Sequence, residues 1–448
     1  MGLFIFKKLI LWLVVLLFSS VVLASDEIKI EVWHSLDGPL GEKFLLITDR
    51  FNQKPEMLKR GVKISPKYIG NYETTLKEGL KVLGTQKAPP ILQVYEMGNL
   101  VMQAHPEAYV PLDKLSEKPS PLLNQAHFVP LIREFYKSRR AQEGMPSLPF
   151  SASSVVLFYN KDAFKAAGLD PEQPPVTWEE FEKIANILKD QGSPYVLASG
   201  WLSGHHIEHL GAWHNQPIAT LGNGIDGEGA KLILNHDFFI EHLSKLALWY
   251  KNGIFSLEKW VEAENVFANG KVTMLTQGAN RLPMIERLVN GKFEIGVAAF
   301  PFWQAKIREP QNTIAGGASF WALSGHDPLI YPIIQQFFEY LATPEIQAEW
   351  HQATCYMPVV MGAQAIAENQ QFYSQGLKGK ASKIAIDSYM GRPPKEFSRG
   401  VLLPEFPRVR EVIIEEMKEA IKGNKTPKEA LDQSVLVGNA IMTGSEQP

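Results

Sequence analysis

His205-His206-Ile207-Glu208-His209 sets two imidazoles one helical turn apart, with a carboxylate just before the second. That spacing can grip a zinc ion while the glutamate activates water, the chemistry of a zinc-dependent hydrolase. Such a site also needs a distal carboxylate ligand, and no segment identifies one. The other reading is a polar wall of a ligand cleft, with Trp213 and His214 close by. Two further segments carry ligand-reading residues. Gly70-Asn71-Tyr72-Glu73 and Pro89 to Glu96 each follow or form a short apolar run and end in a polar, aromatic signature. An open α/β sheet places its ligand loops there, outside the carboxyl ends of its strands. Tyr72 and Glu96 are the candidates. No Ser-His-Asp order, phosphate-cradling Walker loop or dinucleotide glycine fingerprint is evident.

Strands and helices must alternate to position these loops. Ile28 to Trp33 alternates apolar and polar residues like a strand, and a turn from Asp37 to Gly41 leads into a helix with Phe44, Leu45, Ile47 and Phe51 on its apolar side. Val62 to Ile69 and Ala88 to Tyr95 read as strands around a helix from Tyr72 to Leu83. A largely parallel α/β sheet follows from that alternation. Beyond Leu148-Pro149-Phe150 a second unit begins with a β-branched, aromatic run from Ser153 to Tyr159. Thr177-Trp178-Glu179-Glu180 predicts a helix opened by a reciprocal capping box. Val266 to Met274 reads as helix end, turn and strand, and Ile295 to Pro301 as a strand stopped by proline. From Pro344 to about Ala440 the pattern is mostly helical.

The N-terminus bounds the compartment. Lys7 and Lys8 precede an apolar run from Leu9 to Leu23, and Ala24 closes a small-residue site, the order of a cleaved secretory signal peptide over residues 1–24. An uncleaved membrane anchor is the alternative. Removing the leader takes two lysines and no acids from 45 basic and 48 acidic residues, leaving a net charge of −5. That balance argues against a nucleic-acid or anionic-membrane surface. The single cysteine, Cys355, excludes an internal disulfide and reads as a small buried hydrophobe. The roughly 424 remaining residues exceed one ordinary core, so two domains are expected.

In order along the chain, Trp33-His34-Ser35, Gly70 to Glu73, Gln93 to Glu96, Ala198-Ser199-Gly200-Trp201, Gly316 to Ser319 and Glu349-Trp350-His351-Gln352 resemble the glycerol-phosphate branch of the bacterial extracellular solute-binding proteins. Tyr159-Asn160-Lys161-Asp162, the Thr177 helix start and Phe267-Ala268-Asn269-Gly270-Lys271 resemble that class more generally, across nearly the whole mature chain. The resemblance implies a two-lobe α/β fold of the maltose-binding, Venus-flytrap type, with its ligand in the interlobe cleft. Carried onto this chain, residues 26–150 plus 300–345 form the N-terminal lobe, and 155–297 plus 350–448 the C-terminal lobe. The hinge crossings fall near 150–154, 297–301 and 342–350.

The resemblance also implies a ligand and its readers. A phosphorylated polyol is met at its phosphate by Tyr72, Ser153, Gly317, Tyr356 and Arg410. Tyr72 and Gly317 then lie on the first lobe, Tyr356 and Arg410 on the second, and Ser153 at the hinge. Glu96 accepts from the polyol hydroxyls, and Trp201 lies against its carbons. Arg410 has a competing reading as a surface ion pair with Glu411, Glu415 or Glu416. Two positions depart from the family pattern: Gly278 stands where a serine hydroxyl is usual, and Gly204 where a second cleft tryptophan is usual. The first loses a donor; the second is expected to enlarge the polyol end, toward glycerophosphodiesters such as glycerophosphocholine. The implied partners are two membrane permease subunits and a cytoplasmic ATPase of an ABC importer, served by a monomeric periplasmic subunit. No cofactor, no resident metal and no enzymatic step are implied. An oligosaccharide-binding protein of the same fold is the nearer alternative, and the zinc hydrolase the farther one.

Overall fold

The computed structural model describes residues 27–138 and 144–445; the expected leader, residues 1–24, lies outside the described residues. Its strands are β1 (Ile28–His34), β2 (Val62–Tyr68), β3 (Ile91–Tyr95), β4 (Tyr109–Val110), β5 (Leu148–Ser153), β6 (Val155–Asn160), β7 (Tyr195–Ser199), β8 (Phe255–Ser256), β9 (Val272–Gly278), β10 (Ile295–Ala299) and β11 (Gly316–Leu323). One sheet runs β2-β1-β3-β11-β4, with β5 also paired to β11, and the other runs β10-β6-β9-β7-β8. Each sheet is the centre of one α/β lobe.

Period and capping build the elements locally. Ile30 and Val32 of β1 are buried while Lys29 faces solvent, so alternation gives one core face. Helix α1 (Gly38–Asn52) buries Leu40, Phe44, Ile47 and Phe51, a stripe at helical spacing. Leu45, expected on that stripe, lies on the opposite face and is 48% exposed. Helix α2 (Tyr72–Val82) starts where the Asn71 side chain accepts from the Thr74 amide at 2.8 Å. Helix α3 (Trp178–Asp190) has the capping box: Glu180 N donates to Thr177 Oγ1 at 3.1 Å, and Thr177 N to the Glu180 carboxylate at 3.2 Å.

The sheets are mixed, which corrects the largely parallel expectation. β1 runs parallel to β2 and β3, but β11 is antiparallel to β3, β4 and β5. In the second sheet β6 is antiparallel to both β10 and β9. The reason is topological. β11 returns from the second sheet and enters the first from the end where β3 leaves it.

Residues after β11 serve both lobes. In helix α4 (Pro344–Thr354), Glu349 pairs with Lys43 and Arg50 of α1, each at 2.6 Å. Trp350 lies 4.8 Å from the Phe150 ring, and Met357 N donates to Ala152 O at 2.6 Å. Val360 bridges Phe128. Residues 344–360 therefore pack beside the first sheet. Helix α5 (Gly376–Met390) packs against β10, and helix α6 (Phe406–Lys422) flanks the second lobe.

Candidate functional site

Strand ends from both sheets meet at one place. The ends of β1, β2 and β3 deliver Asp37, Tyr72 and Glu96; the start of the antiparallel β11 delivers Gly316 and Gly317 to the same edge. From the other lobe, the ends of β7 and β9 deliver Trp201 and residues 277–281. Ser153 and Ser154 link the two sheets. Six of the eight residues expected from the sequence, Tyr72, Ser153, Trp201, Gly278, Gly317 and Tyr356, line one cavity of about 40 Å³. Glu96 does not line it but is bound to the Gly317 amide, and Arg410 lies over Trp201 and lines a second hollow.

The Gly317 amide donates to Glu96 Oε2 at 2.9 Å, an approach that needs glycine because its φ is +132°. A Cβ at 317 would sit 2.0 Å from Ser151 O. Glu96 is 2% exposed, and burial pushes its carboxyl up to about 7 against the pull of Arg410, whose Nη2 lies 3.7 Å away. The Arg410 guanidinium lies over the Trp201 ring, 5.0 Å from its centroid. Its fork is engaged by Glu208, at 2.8 Å from Nε and 2.5 Å from Nη2. The surface acids Glu411, Glu415 and Glu416 are not its partners.

At the other end the donors hold one another. The Tyr72 and Tyr356 hydroxyls are 2.9 Å apart, and the Ser153 hydroxyl donates to Asn280 Oδ1 at 2.6 Å. Burial pushes the Tyr356 phenol up to about 12 against its hydrogen bond with Tyr72. Tyr356 stacks on Trp350 at 5.7 Å, so it stands with Tyr72 and Gly317 beside the first sheet rather than on the second lobe. Arg281 bridges the lobes, donating to Asp37 at 2.6 Å and to Glu264 at 2.7 Å.

The histidine segment lies on the same cavity. Gly204–His209 is a π-helical turn, and it turns both His205 and His209 to the cavity wall with ring centroids 5.9 Å apart. His209 is held down to about 3 by burial, with Arg410 adding to the effect. Glu208 of the segment is bound to Arg410, so it is not placed to serve a metal-bound water. Among the described residues no group of three or more His, Cys, Asp or Glu could hold a metal ion. Gly204 lines a second hollow of about 250 Å³, shared with Trp201, Arg410, Glu73, Glu258 and Lys259. A Cβ at 204 would already press on Trp201 Cε3 at 3.1 Å.

Asp37, Asn280 and Arg281 were not singled out from the sequence. The signal for the last two was present: Asn280 and Arg281 stand just past the end of an apolar strand, the same pattern that marked Tyr72 and Glu96.

Residues 48–374 match the family model described as bacterial extracellular solute-binding protein. The sn-glycerol-3-phosphate-binding periplasmic protein UgpB of Yersinia pseudotuberculosis is 38% identical over 96% of both chains. Its namesake in Pectobacterium atrosepticum is 37% identical over 93% of this chain and 92% of its own. Among solved structures, UgpB from Mycobacterium tuberculosis in complex with glycerophosphocholine aligns with a TM-score of 0.75 at 16% identity, over 93% of this chain and 99% of its own. The GacH receptor of Streptomyces glaucescens aligns at 0.73 and 16%, over 93% and 98%. Two lobes, a cleft built from strand ends of both and similarity along nearly the whole chain agree: this chain belongs to the bacterial extracellular solute-binding proteins.

Proposed function

We propose that the chain captures sn-glycerol 3-phosphate, and glycerophosphodiesters with it, in the periplasm and delivers them to an ABC importer. The observation that carries this reading is the convergence of Tyr72, Ser153, Gly317 and Tyr356 on one small interlobe cavity, with Glu96 bound to the Gly317 amide and Arg410 beside Glu96, in a chain 38% identical to a protein named for that ligand. The hydroxyls suit an anion with several acceptor oxygens, joined by the Gly317 amide once it exchanges Glu96 for the ligand, and Glu96 suits adjacent ligand hydroxyls. Arg410 then acts at the Glu96 end, with its fork already paired to Glu208.

The leader at residues 1–24 addresses the chain to the periplasm, and no helix among the described residues is long and apolar enough to cross a membrane. Two permease subunits and an ATPase complete the importer. Closure is a hinge motion about three chain passages, stabilised by a ligand that touches both lobes. The packing of residues 344–360 beside the first sheet favours a third passage beyond Val360 rather than at 342–350. Calorimetric titration with glycerol 3-phosphate, glycerophosphocholine and maltose tests the reading. Binding of the first two and not the third is expected; maltose binding alone would sink it.

A further inference from the structure

The position that lost a hydroxyl is not empty. Gly278 ends β9, and a Cβ there would sit 2.5 Å from Asn280 Oδ1 and 3.1 Å from Ser153 Oγ. The Asn280 carboxamide, 8% exposed and on the cavity wall, thus occupies the space a side chain at 278 would enter. Its orientation is set by its partners. Asn280 Oδ1 accepts from Ser153 at 2.6 Å, which leaves Nδ2 and its two N–H groups on the opposite side of the carboxamide, at the cavity wall. Ser153–Asn280 and Tyr72–Tyr356 are thus two hydrogen-bonded pairs lining one cavity. Each member can donate, and an anion entering among them exchanges these mutual bonds for bonds to its own oxygens. The neighbouring cation, Arg281, is engaged by Asp37 and Glu264, so it is compensated in this arrangement.

We infer that Asn280 is a ligand-contacting residue of this chain, supplying amide N–H donors to the phosphate in place of a hydroxyl at 278, and that Gly278 is required to make room for it. The inference rests on the phosphate reading of the cavity. It implies that the chain keeps its donor complement although position 278 carries none, so affinity for glycerol 3-phosphate is not lowered by that glycine.

Calorimetry at pH 7.5 with the full mature chain tests it. N280D keeps the shape and replaces the N–H donors with a carboxylate; it should weaken glycerol 3-phosphate binding by about a hundredfold, at the upper end for a lost charged hydrogen bond. The loss should be smaller for glycerophosphocholine, whose phosphodiester carries one negative charge, a contrast that a merely structural role would not produce. N280A should lose about tenfold, and G278S/N280A should recover most of it. Thermal melting of each variant checks that the fold is retained. Normal binding by N280D, an equal loss for both ligands, or no recovery in G278S/N280A would overturn the inference alone. A wild-type protein indifferent to both phosphorylated ligands would overturn the ligand reading, and this inference with it.

Discussion

Arg410 and Glu208 form a two-point ion pair, Nε to Oε1 at 2.8 Å and Nη2 to Oε2 at 2.5 Å, between residues 202 positions apart. Both side chains are nearly inaccessible, at 9% and 1% exposure. Arg410→Ala would abolish ligand binding and also leave Glu208 buried without its cation, a loss of about 3–5 kcal/mol in stability. The informative comparison is with Arg410→Ala/Glu208→Gln, which should regain much of the stability in urea melts and none of the affinity. Restored affinity in the double variant would remove Arg410 from the site.

Gly317→Ala should fail on backbone grounds. Its φ of +132° and the 2.0 Å approach of a new Cβ to Ser151 O force β5 and β11 apart. A cost of at least about 1–3 kcal/mol is expected, together with loss of the amide contact to Glu96. Urea melts and titration check both; a variant as stable and as tight as the parent contradicts the geometry.

Glu96 makes the stability of the fold sensitive to pH. Its carboxyl titrates near 7 where it is buried and at the ordinary 4.5 in the unfolded chain, so the folded form favours the proton. The stabilisation is complete below 4.5 and lost as pH rises through 7. Glu96→Gln, which mimics the protonated form, should therefore gain on the parent as pH rises from 4.5 to 7 and stay level above. A melting difference that ignores pH refutes this.

The buried imidazoles act in the opposite sense. Burial holds His206 and His209 to about 3, and His214 and His351 to about 4, against 6.5 in the unfolded chain. A depressed folded value means stability that is present above 6.5 and lost as pH falls toward 3–4. Denaturant midpoints should fall between pH 6.5 and 4.5, with protons taken up on unfolding. A flat profile there would count against neutral burial.

Asp37→Asn tests the bridge between lobes. Arg281 keeps Glu264, so no buried cation is stranded, and only the contact made across the cleft is weakened. Affinity should drop by up to about fivefold, the worth of roughly 1 kcal/mol for a partly exposed pair. Small-angle scattering of the ligand-free variant should show a larger radius of gyration. An unchanged radius and affinity would leave the bridge without a role in closure.

Much of this architecture is legible in the chain because it is local. The Thr177–Glu180 capping box needs only four residues, and both of its hydrogen bonds form. The alternation of β1 and the polar ends of β2 and β3 likewise depend on neighbours in sequence. Strand direction does not. A period of two is the same whichever way a strand runs, so the antiparallel entry of β11 left no mark in its own residues. Arg410 shows the same limit for chemistry. Its adjacent acids suggested a local ion pair, whereas its true partner lies in a segment that looked like a metal motif. Asn280 escaped notice because attention fell on the residue at 278, while the side chain filling that space comes from two positions later.

Cys355 ends helix α4 in a left-handed conformation, φ +59°, immediately before Tyr356. Burial raises its thiol to about 12 and leaves the residue 1% exposed. A thiol so protonated and so enclosed is a poor nucleophile. The native chain is thereby a ready background for optical reporters: a second cysteine engineered on the rim of either lobe takes a thiol-reactive dye selectively, and opening and closing become readable as light without removing the residue beside Tyr356.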